Sequence, residues 1–257
     1  MKITTDNYFS TEAMRDYWSV SQFKEFDKCE AMGLASVRGA YKRPETDALL
    51  VGSYVDAYFT GNIVDFVRDH AEQMFTKKGE LYAKYQRAND MINRVEQDEA
   101  MLEYLKGDEQ VIMTGKLFGL DWKIKVDVLR EDCIVDLKTV KDFEPIYKEG
   151  FGRISWIEFW GYDIQGAVYQ AIVEQNTGKR LPFVLAAVTK EPVPDIDLVQ
   201  IDQSVLDTAL KVVESKIDRF DLVKCEEIEP RRCEHCEWCK ATKVVSQPRL
   251  YTAEEVQ

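Results

Sequence analysis

The stretch "CIVDLKTV", residues 133–140, combines the apolar residues of a buried strand with two charged side chains. Asp136 and Lys138 are two residues apart, and side chains at that spacing point to the same face of a strand. A carboxylate and an ammonium group on one face of a buried strand must either pair with each other or belong to a functional site. The residues around this stretch decide between the two interpretations.

Two further strands are predicted immediately before this stretch. The preceding sequence is rich in β-branched and aromatic residues and is interrupted at "LFG" and "RED", which predicts consecutive strands joined by tight turns. The expected strand ranges are about 109–117, 119–129 and 132–139. A hairpin that turns near Glu131 and Asp132 would place Asp127 beside Asp136 on the neighbouring strand.

Helical segments are predicted on both sides of these strands. Apolar residues recur at helical spacing in five ranges: 18–36, 47–62, 80–106, 156–178 and 203–220. The stretch "PFVLAAVTK", residues 182–190, is apolar almost to its end, which predicts a central strand covered on both faces. This order of elements predicts an α/β fold with one mixed sheet flanked by helices and a cysteine-rich C-terminal tail.

The length of 257 residues suits one sizeable core, so we expect a single domain over residues 1–257. Its expected parts are a helical N-terminal part over 1–106, a core over 107–222 and the cysteine-rich tail over 223–257.

The composition limits the classes of function. The formal net charge of −12 argues against tight non-specific DNA binding by this subunit alone. A nucleic-acid enzyme is not excluded, because carboxylate sites recruit divalent cations and a local basic groove can lie on an acidic body. The sequence contains no apolar run of about 18 residues, so no membrane span is predicted. The N-terminus "MKITTDNYFSTEAM" lacks the apolar core of a signal peptide, so we expect a cytoplasmic protein.

The carboxylates of Asp127 and Asp136 would repel each other unless a cation lay between them. Hard oxygen ligands favour Mg²⁺ or Mn²⁺, which bind through carboxylates together with substrate phosphate. Lys138 could then orient or help deprotonate the attacking water, or stabilise charge on the phosphate. This arrangement is typical of metal-assisted phosphodiester hydrolysis. For the Asp136–Lys138 pair taken alone, a simple ion pair is the expected alternative.

Three motifs in this order resemble the PD-(D/E)XK nuclease superfamily. Asp127 followed by "VDLK" is similar to its catalytic strands. "GSYVDAYF" is similar to an early helical motif in the branch of RecE-type, lambda-exonuclease-type and RecB-type nucleases, with Asp56 at the acidic position. "QGAVY", with Gln165 and Tyr169 four residues apart, is similar to the Q-x-x-x-Y motif of the same branch.

The resemblance implies a restriction-endonuclease-like core and a Mg²⁺-dependent DNA exonuclease that acts at duplex ends in phage-type recombination. It implies metal binding by Asp56, Asp127 and Asp136. The implied catalytic residues are Asp127, Asp136, Lys138, Gln165 and Tyr169. A single-strand-annealing recombinase partner and a homo-oligomeric ring around DNA are also implied. The alternatives are a structure-specific or restriction-like endonuclease and a non-catalytic metal-cluster protein that binds DNA or a recombinase.

The tail contains "CEHCEWC", which places Cys233, Cys236 and Cys239 in a C-x2-C-x2-C pattern. Thiolates at this spacing favour Zn²⁺ or an iron–sulfur cluster over unligated thiols. The candidates for the fourth ligand are Cys225, Cys29 and His235.

The resemblance to RecB-like nucleases also bears on the fourth ligand. Some of these nucleases hold a [4Fe–4S] cluster with one cysteine before the core and three after it. By that resemblance the ligands are Cys29, Cys233, Cys236 and Cys239. The alternative is a local zinc site that uses Cys225 in place of Cys29.

Lys123 and Lys125 lie on the same predicted strand face as Asp127. They are therefore the lysines expected to approach a DNA phosphate near the metal.

Overall fold

The computed structural model describes residues 1–248 and 250. Helices surround a central sheet, and their bounds in chain order are α1 (Thr11–Asp16), α2 (Val20–Lys28), α3 (Glu30–Val37), α4 (Asp47–Phe59), α5 (Ile63–Met74), a short 3₁₀ helix (Ala83–Tyr85), α6 (Arg87–Glu96), α7 (Glu99–Tyr104), α8 (Trp156–Phe159), α9 (Tyr162–Thr177), α10 (Gln203–Lys224) and α11 (Glu237–Ala241). The strands are β1 (Asp108–Leu117), β2 (Leu120–Leu129), β3 (Ile134–Val140), β4 (Ile146–Lys148), β5 (Gly152–Ile154), β6 (Phe183–Thr189) and β7 (Ile196–Gln200).

Five strands form one mixed sheet in the order β1-β2-β3-β6-β7, and β4 pairs with β5 in a separate hairpin. The β3–β6 pair is parallel, whereas the other neighbours in the sheet are antiparallel. The predicted α/β fold with a mixed sheet flanked by helices is therefore confirmed. The division of the chain into the three predicted parts stays a prediction.

The first three strands follow the predicted meander within two residues at each end. The turn between β1 and β2 contains Phe118 and Gly119, both with left-handed φ angles, of 55° and 79°. Two consecutive left-handed residues match the right-handed twist of a two-residue hairpin, which explains the break at "LFG".

The sheet separates two apolar cores, as the composition of β6 predicts. We call the core that includes Phe23, Ile172 and Ile217 the α9-side core, and the core that includes Leu50 and Met91 the α4-side core. Residues of β6 alternate between them: Phe183, Leu185 and Ala187 face the first, and Val184, Ala186 and Val188 face the second. Every residue of β6 is buried, which confirms the predicted central strand.

Three predicted helical segments are each divided in the structure. The segment expected over 80–106 consists of the 3₁₀ helix, α6 and α7. The helix expected over 18–36 is interrupted at Cys29, which adopts an extended conformation between α2 and α3. The helix expected over 156–178 is interrupted at Gly161, which precedes α9 and has a left-handed φ of 63°. Glycine adopts this conformation without steric strain. Within the described part of the chain, no helix is both long and apolar enough to cross a bilayer.

Helix α4 approaches β3 closely because Gly52 lacks a side chain. A Cβ atom at Gly52 would lie 2.7 Å from Oγ1 of Thr139, while the Cβ of Thr139 is 4.0 Å away. Thr139 directly follows Lys138 in β3, so this contact fixes α4 beside the charged part of the strand.

The contact predicts that the effect of Gly52→Ala depends on residue 139. In the wild-type background the added methyl group meets Thr139 Oγ1, and we expect a lower free energy of unfolding, by about 1 kcal/mol or more. In a Thr139→Ala background the nearest atom is 4.0 Å away, so the helix propensity of alanine should make the same change neutral or stabilising by up to about 1 kcal/mol. Urea unfolding of the four variants measures this coupling.

The single variant Thr139→Ala is the control, because it reports the loss of the hydroxyl group alone. Equal effects of Gly52→Ala in the two backgrounds would show that the close approach does not constrain α4.

Candidate active site

Asp127 lies where the pairing of β2 is interrupted on both sides. The β1–β2 ladder skips the pair that Gln110 and Asp127 would form, and Gln110 has a left-handed φ of 52°. The β2–β3 ladder ends where Val128 lies opposite Val135. Beyond this point Asp127 Oδ2 accepts a hydrogen bond from the backbone N–H of Leu137 at 3.0 Å. The two strands therefore separate at Asp127, and its carboxylate faces the neighbouring strand.

Asp136 lies on β3, the middle strand of the sheet, and is only 1% exposed. Its Oδ1 accepts a hydrogen bond from Nε2 of Gln165 on α9 at 2.6 Å. Its Oδ2 forms an ion pair with Nζ of Lys138 but is otherwise buried without a hydrogen-bond partner. The carboxylate of Asp136 thus contacts both Lys138 and Gln165.

The pKa values of Asp127 and Lys138 depend on burial and on the charges of their neighbours in this cluster. Burial and the charge of Asp136 raise the pKa of Asp127 well above its usual range. Burial would lower the pKa of Lys138, but the charges of Asp136 and Asp127 outweigh it and raise this pKa instead. Lys138 is therefore an ammonium group at neutral pH when no cation is bound.

Asp56 lies on α4, one helical turn after Gly52, and is half-buried. Burial raises its pKa, and the nearby charges of Lys138 and Lys125 oppose this effect. The carboxylate of Asp56 is therefore close enough to Asp136 and Lys138 for their charges to affect its pKa. However, the oxygens of Asp56, Asp127 and Asp136 do not all lie within 4.8 Å of one another.

Tyr169 lies one turn after Gln165 on α9 and is 9% exposed. Its hydroxyl donates a hydrogen bond to the carbonyl of Lys125 at 3.1 Å. This contact supports β2 two residues before Asp127. Tyr169 is thus placed to position β2 rather than to contact a substrate directly.

Two further residues, Lys24 and Tyr162, belong to the same charge network. The Nζ atoms of Lys24 and Lys138 each lie 5.4 Å from the centroid of the Tyr162 ring. Burial, together with the charge of Lys138, lowers the pKa of Lys24 to about 8. The position of Tyr162, three residues before Gln165 on a helix, is a signal that could have identified it. Lys24 comes from α2, and nothing in its local sequence indicates this contact.

The two lysines that precede Asp127 on β2 have different environments. Lys123 is 3% exposed, and its ammonium group donates a hydrogen bond to the carbonyl of Tyr8. The expectation that Lys123 approaches a phosphate is therefore wrong, because the N-terminal segment covers it. Lys125 is only half-buried, and its Nζ lies 5.7 Å from the centroid of the exposed Phe9 ring.

The carboxylate cluster fits a divalent cation by its donor set. Carboxylate oxygens are the ligands that Mg²⁺ and Mn²⁺ prefer. Asp136 Oδ2 is a buried oxygen with only an ion pair to neutralise it, and burial together with the charge of Asp136 raises the pKa of Asp127. A cation between the two carboxylates would offset both effects. Asp127 and Asp136 are the residues that would hold the cation, and Asp56 faces the same region.

A second possible metal site lies in the tail. The Sγ atoms of Cys29, Cys233, Cys236 and Cys239 all lie within 4.8 Å of one another, and those of Cys29 and Cys239 are 3.6 Å apart. Thiolates bound at about 2.3 Å to one tetrahedral ion would be about 3.8 Å apart. A [4Fe–4S] cluster spaces its thiolates more widely, because each sulfur binds a different iron atom. The spacing therefore fits a single tetrahedral ion.

Backbone N–H groups donate hydrogen bonds to two of these sulfurs. The N–H of Cys236 donates to Cys233 Sγ at 3.3 Å, and the N–H of Cys239 donates to Cys236 Sγ at 3.4 Å. Burial would raise the pKa of Cys233, but hydrogen bonds from the backbone of His235 and Cys236 lower it to about 6. Such N–H···S contacts orient metal-binding thiolates.

Cys29, and not Cys225, completes the group of four. Cys225 is exposed, and its Sγ lies 3.9 Å from a carboxylate oxygen of Asp221. The break between α2 and α3 is what directs Cys29 toward the tail. Glu30 strengthens the junction, because it accepts hydrogen bonds from the side chain of Arg219 at 2.8 and 2.9 Å and from the backbone of Arg231 at 2.7 Å.

The fold can be compared with a solved structure. A "putative exonuclease" from Eubacterium rectale, whose crystal structure was determined at 2.19 Å resolution, is similar to this chain with a TM-score of 0.93. The two sequences are 43% identical over 97% of this chain and 97% of that chain. No curated protein matches this chain in sequence.

A family model described as a "PDDEXK-like domain of unknown function (DUF3799)" matches residues 19–242. The matched range contains the carboxylate cluster and the four cysteines, whereas residues 1–18 lie outside it. The resemblance to the PD-(D/E)XK nucleases is therefore confirmed at the level of the superfamily, and a nuclease is the class of protein that both comparisons support. The chain belongs to the PDDEXK-like family DUF3799.

Proposed function

We propose that this protein is a divalent-metal-dependent DNA exonuclease that hydrolyses phosphodiester bonds at duplex ends. The observation that carries the proposal is the contact of Asp136 with both Lys138 and Gln165 beside the carboxylate of Asp127. A structural ion pair would need only Asp136 and Lys138. A second buried carboxylate at the same point raises the free energy of the metal-free fold, so it suggests a function rather than a contribution to stability.

Each residue of the cluster has a distinct proposed role. Asp127 and Asp136 hold the cation, which supplies Lewis-acid activation of water and phosphate when it is bound. Lys138, held as an ammonium group, orients the attacking water or stabilises negative charge on the phosphate. Gln165 fixes the orientation of Asp136 through the hydrogen bond to Oδ1, which leaves Oδ2 for the cation and Lys138. Tyr169 acts as a positioning residue through the backbone of β2.

The proposed action at DNA ends, the third metal ligand and the recombination setting are each supported by a different observation. Action at DNA ends is supported by the similarity to a protein described as an exonuclease. Asp56 as a third metal ligand is supported by its place on α4 beside the cluster. The recombination setting, a recombinase partner and a ring-shaped oligomer are supported only by the resemblance of the motifs to RecE-type and lambda-type nucleases.

We further propose that Cys29, Cys233, Cys236 and Cys239 bind one Zn²⁺ ion, which joins the tail to the N-terminal helices. The short distances between their sulfurs favour one ion over the alternative [4Fe–4S] cluster. The role is structural, because four thiolates complete a tetrahedral site and leave no position for substrate.

The first prediction concerns the nuclease activity. Wild-type protein with Mg²⁺ should degrade end-labelled linear duplex DNA and leave closed circular DNA intact. Lys138→Ala should lower the rate at least a hundredfold, because it removes a charge that acts on the reacting groups. Lys141→Ala is the matched control: this lysine lies three residues further on, its side chain is 90% exposed, and its partner Asp142 is not in the cluster.

Cleavage of circular DNA would instead identify an endonuclease. Absence of cleavage with any DNA and either Mg²⁺ or Mn²⁺ would reject both assignments, as would equal activity of wild type and Lys138→Ala.

The second prediction concerns the effect of the buried Asp127 carboxylate on the stability of the metal-free fold. The folded-state pKa of Asp127 lies above its ordinary value, so its ionisation destabilises the fold as pH rises above that value. Asp127→Asn should therefore raise the melting temperature at pH 7.5 without added divalent cation, while it abolishes cleavage. Each 1 kcal/mol gained corresponds to roughly 2–4 °C. Asn can still accept the hydrogen bond from Leu137.

The pH dependence separates charge from packing. Near pH 3, about one unit below the ordinary pKa of aspartate, the carboxyl group is largely protonated in both the folded and the unfolded state, so the difference in melting temperature between wild type and Asp127→Asn should shrink. A lower melting temperature of the variant at both pH values would show that the carboxylate stabilises the metal-free fold.

The third prediction concerns the tail. Metal analysis of the purified protein should find zinc, and Cys29→Ser should lower both the zinc content and the melting temperature. Cys225→Ser is the matched control and should retain both, because Cys225 lies outside the sulfur cluster. Iron together with broad visible absorption would instead identify an iron–sulfur cluster. A protein that contains neither metal and melts like Cys29→Ser would contradict metal binding.

A further inference from the structure

The first ten residues, which lie outside the range matched by the family model, form a compact segment against β2. The side chain of Asn7 closes a turn within it: Oδ1 accepts a hydrogen bond from the N–H of Thr4 at 2.8 Å, and Nδ2 donates to the carbonyl of Lys2 at 3.0 Å. Ile3 and Tyr8 are each only 8% exposed. The segment is therefore packed on the sheet and not a free tail.

Lys123 anchors this segment to the strand that carries Asp127. Its ammonium group is buried, donates a hydrogen bond to the carbonyl of Tyr8 and lies 4.7 Å from the centroid of the Tyr8 ring. A buried lysine requires such partners, because burial without them is costly. The anchor thereby fixes Tyr8 and the next residue, Phe9, beside β2.

Phe9 is 75% exposed although the residue before it is buried. Its ring stands edge-to-face against Tyr8, with 5.0 Å between the centroids, and Lys125 Nζ lies 5.7 Å from its centroid. An aromatic ring that is held by a buried neighbour, exposed to solvent and accompanied by a cation is the combination that binds unpaired nucleotides.

The segment borders the carboxylate cluster. Besides burial, the charge of Asp127 raises the pKa of Tyr8, which places the Tyr8 hydroxyl near the metal-binding carboxylates. Lys125, whose Nζ lies 5.7 Å from the centroid of the Phe9 ring, is two residues before Asp127 on β2. Phe9 therefore lies at the edge of the site.

We propose that Phe9 stacks on an unpaired base of the DNA strand being cut, while Lys125 contacts a phosphate next to the one held at Asp127 and Asp136. This inference rests on the proposed nuclease function and specifies its substrate. Stacking on Phe9 needs a base that is not paired, so the enzyme acts on single-stranded or frayed ends in preference to closed blunt ends. Tyr8 and Lys123 serve as positioning residues for Phe9.

The first test measures stacking without cleavage. In an Asp136→Asn background without divalent cation, an oligonucleotide with 2-aminopurine at its unpaired end should lose fluorescence on binding, because stacking quenches this base. Phe9→Ala should abolish the quenching, and Phe9→Trp should retain it. Tyr82→Ala is the matched control, since Tyr82 is a surface aromatic, 42% exposed, that contacts Met74 and Tyr85 through its backbone and not β2.

The second test uses cleavage by the otherwise wild-type enzyme. Phe9→Ala should raise KM for DNA with an unpaired end about tenfold, which corresponds to about 1.4 kcal/mol and to one stacked base, and should change kcat by less than about twofold. The rise should be smaller for a G·C-rich blunt end, for which wild-type KM is already high. Phe9→Trp should restore the wild-type KM, and melting temperatures should be unchanged because Phe9 is exposed.

The two tests separate the possible failures. Unchanged quenching and KM in Phe9→Ala, equal losses in Phe9→Ala and Phe9→Trp, or an equal loss in Tyr82→Ala would each overturn the stacking role. If the wild type cleaves no DNA but the quenching pattern holds, the nuclease assignment fails while the nucleotide-binding surface stands.

Discussion

The repulsion between two buried carboxylates is the constraint on which the rest of this site depends. Asp127 and Asp136 lie on the adjacent strands β2 and β3, at the point where the pairing of these strands ends. The carboxylate of Asp127 therefore reaches the backbone of β3. Lys138 offsets one negative charge, and burial together with the charge of Asp136 raises the pKa of Asp127, so an ionised Asp127 is costly in the metal-free fold. A fold that retains such a cluster gives up stability in the metal-free state, which is typical of residues kept for chemistry.

The surrounding elements hold this cluster from three directions. Helix α9 contributes Gln165 to Asp136 and Tyr169 to the backbone of β2. Helix α4 reaches β3 through the close contact at Gly52. Helix α2 carries Lys24 into the charge network and ends at Cys29, so the cysteine cluster and the carboxylate cluster share one short helix.

The sequence predicts the local parts of this arrangement better than the long-range ones. The meander, the buried strand β6 and the placement of Asp127 opposite Asp136 follow from strand periodicity and turn residues, which act over short distances. The break at Cys29 was not predicted, because apolar spacing continues through it and the extended conformation depends on partners some 200 residues away in the tail. Lys123 has the same strand-face position as Lys125, yet contact with Tyr8 gives it a different role. Such contacts follow from tertiary packing and leave no local pattern.

The most direct measurement for the central claim is anomalous diffraction from crystals soaked in Mn²⁺. We expect a peak within bonding distance of the carboxylates of both Asp127 and Asp136, and its loss in crystals of Asp136→Asn. Crystals with no peak at these carboxylates, or with Mn²⁺ bound only elsewhere, would contradict the assignment of this cluster as a catalytic metal site.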